Sequence, residues 1–168
     1  MNKDYKYWVE KLEMLAHPEG GFYKETYRSD GLIPKAALDS SFGGNRNHST
    51  AIYFLLTAEN FSAFHKIASD EVWHFYAGDG LDISVIQEDG TYECIHLGNG
   101  ETEDQVFQAV VPAGAWFASE PTNKKGWALV GCTVAPGFDF EDFVMAKRAD
   151  LLREYPQFEE LIVRLTRD

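Results

Sequence analysis

His65 and Glu71 lie close together in the run Phe64-His65-Lys66-Ile67-Ala68-Ser69-Asp70-Glu71. A neutral imidazole and a carboxylate that meet inside a small barrel can ligate a divalent metal. They can equally serve as a base and the partner that orients it. The plainer alternative is a core histidine bonded to Glu71. His74 follows Glu71 by three positions, and in an unbulged strand that spacing points the two to opposite faces. Only a bulge brings both into one pocket. With such a bulge, His65, Glu71 and His74 make a facial metal triad; without it, His74 belongs at a subunit interface.

Other side chains extend the candidate site. Trp73, Trp116 and the phenol of Tyr53 offer an aromatic platform on which a sugar or nucleobase could stack. Glu25, Thr26 and Arg28 share one short segment, and a guanidinium there can grip a carboxylate or phosphate. A surface ion pair is the alternative for Arg28, and a core position the alternative for Tyr53. Arg46 and Ser49 precede a β-rich run and could reach the mouth of a pocket. His17 and His96 read as loop or surface positions without a role.

The elements that must carry these residues are mostly strands. Trp8, Val9, Leu12 and Leu15 recur at helical spacing, and the helix should end in Ala16-His17-Pro18-Glu19-Gly20-Gly21, where proline and paired glycines interrupt it. Residues 30–47 are polar, contain glycine and lack a period, which predicts a mobile loop. About nine short β-rich runs cover 22–27, 49–56, 60–67, 72–76, 81–87, 92–97, 106–111, 115–119 and 127–134. In the third of these, Phe61, Ala63, His65 and Ile67 alternate onto one face. Turn signals at Gly78-Asp79-Gly80, Asp89-Gly90 and Gly98-Asn99-Gly100 space the runs regularly, which predicts an all-β sandwich or barrel. Helix returns at 148–153, and Phe158, Leu161, Ile162 and Leu165 form an apolar stripe after Pro156. Helices at both ends should cover the outside of the barrel.

Composition narrows the partners. The 168 residues fit one domain over 1–168, and a formal net charge of -12 opposes phosphate backbones and anionic membrane surfaces. No nucleic acid or membrane partner is expected. Cys94 and Cys132 form no CxxC pair and sit in apolar runs, which predicts buried free thiols in a reducing compartment. Met1-Asn2-Lys3-Asp4-Tyr5 contains no apolar signal core, so a cytoplasmic location is expected.

Two segments together resemble the paired motifs of the cupin superfamily. His65, Glu71 and Gly78 match the first motif, and Pro112 and Gly114 match the second. Ile67 and Phe117 stand where that superfamily usually carries two further metal-ligating histidines, so the usual ligand set is incomplete. The segments His17-Pro18-Glu19-Gly20-Gly21-Phe22-Tyr23, Ser49-Thr50-Ala51-Ile52-Tyr53-Phe54-Leu55-Leu56, Ser69-Asp70-Glu71-Val72-Trp73-His74-Phe75-Tyr76 and Gly131-Cys132-Thr133-Val134-Ala135-Pro136-Gly137-Phe138 are similar, in the same order, to the cupin-5 branch, long catalogued as a domain of unknown function. The resemblance implies a double-stranded β-helix, a jelly-roll-like barrel shaped like the sugar-nucleotide epimerases of deoxyrhamnose synthesis, with flanking N- and C-terminal helices. It implies a homodimer or higher homo-oligomer that binds a small molecule. Metal-free epimerase or isomerase chemistry on a sugar or nucleotide-sugar is one expected form, with His65 as base and Glu71 holding its tautomer. A divalent-metal oxygenase or isomerase built on His65, Glu71 and His74 is a second, and a non-catalytic binding or sensing module is a third.

Overall fold

The computed structural model describes residues 4–18 and 20–167. The N-terminal reading on residues 1–3, and Glu19 of the 17–23 segment, lie outside the described residues. The chain begins with α1 (Tyr5–Lys11), β1 (Leu15–Ala16), β2 (Phe22–Arg28), β3 (Leu32–Ile33), β4 (Arg46–Asn47) and β5 (Thr50–Thr57). It continues through β6 (Ser62–Lys66), β7 (Asp70–Gly78), β8 (Leu81–Ile86), β9 (Tyr92–Leu97), β10 (Gln105–Val106) and β11 (Gln108–Val111). β12 (Trp116–Pro121), β13 (Trp127–Ala135), β14 (Val144–Met145), α2 (Arg148–Glu154) and α3 (Glu159–Arg164) complete it. Among the described residues no helix is long and apolar enough to cross a membrane.

Two six-stranded sheets form the all-β barrel. The first runs β1-β2-β5-β13-β7-β11 and the second β10-β9-β8-β12-β6-β14. Period-2 alternation sends one face of each strand inward. From β8 come Leu81, Ile83 and Val85, from β13 Val130, Cys132 and Val134, and from β7 Trp73, all in the core between the sheets. Leu81 and Ile83 are fully buried, and burial of such a side chain contributes about 1.5–3 kcal/mol.

The helices cover the outer faces, as expected. α1 lies on the first sheet, where Trp8, Val9 and Leu12 pack on Leu55 and Leu129. α2 and α3 cover the second sheet, and Phe158, Leu161, Ile162 and Leu165 meet Phe64 and Ile86. Leu15 departs from the helical stripe. The helix closes at Leu12, Glu13 turns at φ 52°, and the chain enters β1 with Leu15 exposed and Met14 buried instead.

Two further expectations change. The 30–47 segment is anchored: β3 pairs with β4, and the Arg46 side chain is only 3% exposed against Asp142. The single run 106–111 divides into β10, parallel to β9 in the second sheet, and β11, antiparallel to β7 in the first. One short segment thus passes from sheet to sheet.

Both motif turns have a physical reason. Gly78 adopts φ +106°, and a Cβ there would stand 2.1 Å from the Trp127 carbonyl oxygen. Gly114, at φ +78°, sits third in a turn closed by the Ala115 amide donating to the Pro112 carbonyl at 3.3 Å, the type II arrangement that favours glycine. The two motifs then meet. The Gly114 amide donates to the Ile67 carbonyl at 2.9 Å, and the Ala113 amide to the Asp70 carboxylate at 2.8 Å.

Candidate functional site

A cavity of about 290 Å³ lies between the sheets, with His65 and Glu71 both in its lining. β2 supplies Tyr23, Glu25 and Arg28, β5 supplies Thr50 and Ile52, and β13 supplies Cys132 and Val134. The segment after β13 closes a wall with Phe138, Asp139, Phe140 and Phe143.

His65 is 4% exposed. Its ring lies between Phe117, centroids 4.0 Å apart, and Phe143, stacked at 5.1 Å. Nδ1 is 2.7 Å from the Ala63 carbonyl oxygen. A carbonyl only accepts, so Nδ1 carries a proton, and proton exchange falls to Nε2. The backbone carbonyl therefore fixes the tautomer from the Nδ1 side. The pairing of β6 with β12 shifts register between Phe117 and Ser119, opposite His65 and Ser62. This bulge turns Phe61 away from the expected inner face, and it packs with Phe64 on the outer cluster.

His74 is not brought to this site. In β7, Glu71 and Trp73 point inward while His74 points outward. Its Nδ1 accepts from the Gln108 amide at 2.9 Å, so its Nε2 donates to Thr133 Oγ1 at 3.1 Å. The β7 irregularity lies beyond it, opposite Leu129 and Val130, too late to change its face. The His65–Glu71–His74 triad is therefore not assembled.

The aromatic platform is also corrected. Tyr53 lies on the outer face of β5 beneath α1, and Trp73 is a buried core residue edge-on to Phe54 and Phe117. Trp116 packs on the outer cluster, with the Lys66 ammonium 4.7 Å from its ring centroid. Thr26 is exposed and bonds the Ala51 carbonyl at 3.2 Å.

Glu25 and Arg28 do line the cavity, although three positions apart. A register shift between Glu25 and Tyr27 absorbs the extra residue, so the bulge invoked for His74 occurs in β2 instead. The Arg28 guanidinium is already engaged. It donates twice to Glu25, at 3.1 and 2.7 Å, and also to Asn47 Oδ1 and the Phe138 carbonyl. Hydrogen bonding to Glu25 raises its pKa, with burial opposing. It ties β2 to the 138–143 wall rather than waiting for an anion.

Arg46 holds the same wall from behind. Its guanidinium donates to Asp142 at 2.5 and 2.6 Å, to Glu141 at 3.2 Å and to the Asn45 carbonyl at 2.6 Å. The hydrogen bond to Asp142 raises the arginine's pKa against its burial. Burial pushes the Asp142 carboxyl up, but the bonds from Arg46 and the Gly43 amide outweigh it and leave Asp142 below the usual carboxylate range. Neither Arg46 nor Ser49 lines the cavity.

Sequence reasoning missed His17, Tyr23, Asp139 and the three phenylalanines of the wall. His17 meets Tyr23 and Phe54 edge-on, with centroids 4.8 and 5.4 Å apart. The spacing of Phe138, Phe140 and Phe143 just past the last strand was the available signal for the wall.

The donor set does not fit a barrel metal of the usual kind. Ile67 lines the cavity with a hydrocarbon side chain, and Phe117 pairs directly across from His65 where a further imidazole would be needed. Among the described residues no third donor gathers with His65 and Glu71.

Comparison with known proteins agrees with the fold. The family described as "Cupin superfamily (DUF985)" matches residues 6–146. An uncharacterized Saccharomyces cerevisiae protein, YML079W, is 32% identical over 154 residues, covering 86% of this chain and 76% of its own. A hypothetical protein from Leishmania major superposes with a TM-score of 0.89 at 33% identity, covering 98% of this chain and 99% of its own. Protein SO0799 from Shewanella oneidensis gives 0.86 at 36% identity, with 98% of each chain covered. Oxalate decarboxylase from Bacillus subtilis shares the fold alone, at 14% identity, a TM-score of 0.53 and 89% of this chain against 36% of its own. The chain therefore belongs to the cupin superfamily, in the family catalogued as DUF985.

Proposed function

We propose that the chain binds a small polar molecule, of about monosaccharide size, in the barrel cavity, and that His65 moves a proton on it without a metal held by barrel histidines. The observation that carries this reading is the buried His65 ring, its Nδ1 proton committed to Ala63 in the lining of a cavity of about 290 Å³. That volume encloses a sugar ring, and the nucleotide of a nucleotide-sugar would have to lie outside the barrel, so the reading rests on the sugar-sized group. Phenylalanine walls suit the carbon face of such a ring, and Glu71 suits its hydroxyls.

The chemistry is proton abstraction beside a carbonyl. Nε2 takes the proton, the C–H electron pair moves toward the carbonyl oxygen, and return of a proton to the carbon restores a saturated centre of either hand. The test uses tag-free protein melted against monosaccharides, sugar phosphates and hydroxy acids, followed by NMR in D₂O with any stabilising compound. A melting shift in the wild type, absent in His65→Gln, together with deuterium at one carbon, is expected. A shift of equal size in His65→Gln would remove the histidine from the site. Stabilisation without exchange would leave a binding module.

A further inference from the structure

We propose that Asp82, Cys94 and His96 form a zinc-class cation site on the outer face of the second sheet, with Asp104 positioning the histidine. β8 and β9 pair so that Asp82 stands opposite His96 and Ser84 opposite Cys94. Period 2 then places Cys94 and His96 on one face, away from the inward Ile83 and Ile95. One ligating atom from each of Asp82, Cys94 and His96 lies within 4.8 Å of the others, with all three residues partly buried. In a tetrahedral zinc site with metal–nitrogen distances of about 2.0 Å and metal–sulfur distances of about 2.3 Å, neighbouring donors stand roughly 3.3–3.8 Å apart. To hold the ion, the His96–Asp82 pair, at 2.9 Å, must open by about half an ångström while the thiol stays within the 4.8 Å spread of the cluster.

The surroundings match what such a site requires. His96 Nδ1 lies 2.9 Å from Asp82 Oδ1, so a cation bound there takes the place of the proton between them. The other ring nitrogen, Nε2, lies 3.7 Å from Asp104 Oδ2, within reach of a carboxylate that would orient a metal-bound imidazole after closing by under about 1 Å. Asp82 Oδ1 also accepts from Thr122 Oγ1 at 2.7 Å, which fixes the carboxylate. Glu120 pairs beside Asp82 across β12, and its own charge is met by Lys124 and Arg164, which leaves Asp82 as the carboxylate for the ion. Thiol, imidazole and carboxylate together favour Zn²⁺ over the oxygen-seeking Ca²⁺ and Mg²⁺. Binding displaces the Cys94 thiol proton to solvent, and water completes the fourth position. None of the three ligands lines the barrel cavity, so the site stands independently of the proposed function.

The test loads the full, tag-free chain with Co²⁺, whose sulfur-to-metal charge-transfer absorption reports a thiolate ligand. One Co²⁺ per chain with that absorption is expected, displaced by Zn²⁺, lost in Cys94→Ser and in His96→Ala, and kept in Cys132→Ser. The absence of the absorption, or its survival in Cys94→Ser, would overturn the proposal. A variant-free measurement stands beside it. Zn²⁺ should protect Cys94 of the wild type from a thiol-alkylating reagent, and an unchanged alkylation rate would likewise overturn the site.

Discussion

Replacing Arg46 with methionine should be among the most damaging single changes outside the core. The side chains of Arg46 and Asp142 are 3% and 5% exposed, and the guanidinium makes two bonds to that one carboxylate. Arg46→Met leaves Asp142 buried and charged with the Gly43 amide, at 2.8 Å, as its remaining bond among those described. Stranding one partner of a buried pair costs about 3–5 kcal/mol. For a chain of this length that is a fall of roughly 6–20 °C in Tm. Guanidinium chloride unfolding at pH 7 would measure it, and Arg46→Met/Asp142→Leu, which removes both charges, should recover most of the loss. The pH dependence has a definite sign. Asp142 is held below its unfolded pKa, so its contribution is present in full above about pH 4 and fades as pH falls through the folded value. The gap between wild type and Arg46→Met should narrow on that side. A loss below about 1 kcal/mol at pH 7, or a double variant weaker than the single, would refute the reasoning.

Two further outcomes follow from the barrel itself. Gly78→Ala must force a Cβ to within 2.1 Å of the Trp127 carbonyl oxygen at a φ of +106°, so it should destabilise by at least about 2 kcal/mol by chemical denaturation, where a harmless Gly→Ala would stabilise slightly. Ile67→His/Phe117→His should let the barrel hold about one equivalent of Mn²⁺ beyond whatever the wild type retains, measured by mass spectrometry after loading and desalting; equal retention would show that the two hydrocarbon side chains are not what keeps metal out.

Strands and covering helices were legible because burial imposes period 2 and period 3.6 on the chain. His65 and Glu71 were legible because polar groups stand out in an otherwise apolar interior. Facing was harder, because a single bulge reverses it. In β2 the extra residue carries Arg28 back to the face of Glu25, while in β7 the irregularity comes after His74 and leaves it outside. Tyr53 stays open between pocket and core in the sequence because β5 is buried on both faces, and it is the core alternative that the outer cluster shows. Phe54 and Leu56 enter the inner core while Leu55 lies under α1, so hydrophobicity alone could not separate the sides. The anchoring of 30–47 depends on Asp142, about a hundred positions away, a contact no local pattern encodes.

The hydrogen bonds between the two motif turns bear on how this barrel could be re-engineered. Gly114 holds Ile67, and Ala113 holds Asp70, so an inserted residue in either turn would move His65 and Glu71 relative to each other. The wall at 138–143 is tied down instead by long side chains reaching in from Arg28 and Arg46, and of its phenylalanines Phe143 stacks on His65 while Phe138 and Phe140 shape the cavity. Libraries seeking a new ligand should therefore vary Phe138 and Phe140 and leave Phe143, 67–70 and 112–114 untouched, since the first pair alters what the cavity admits while the others hold His65 and decide whether a cavity forms.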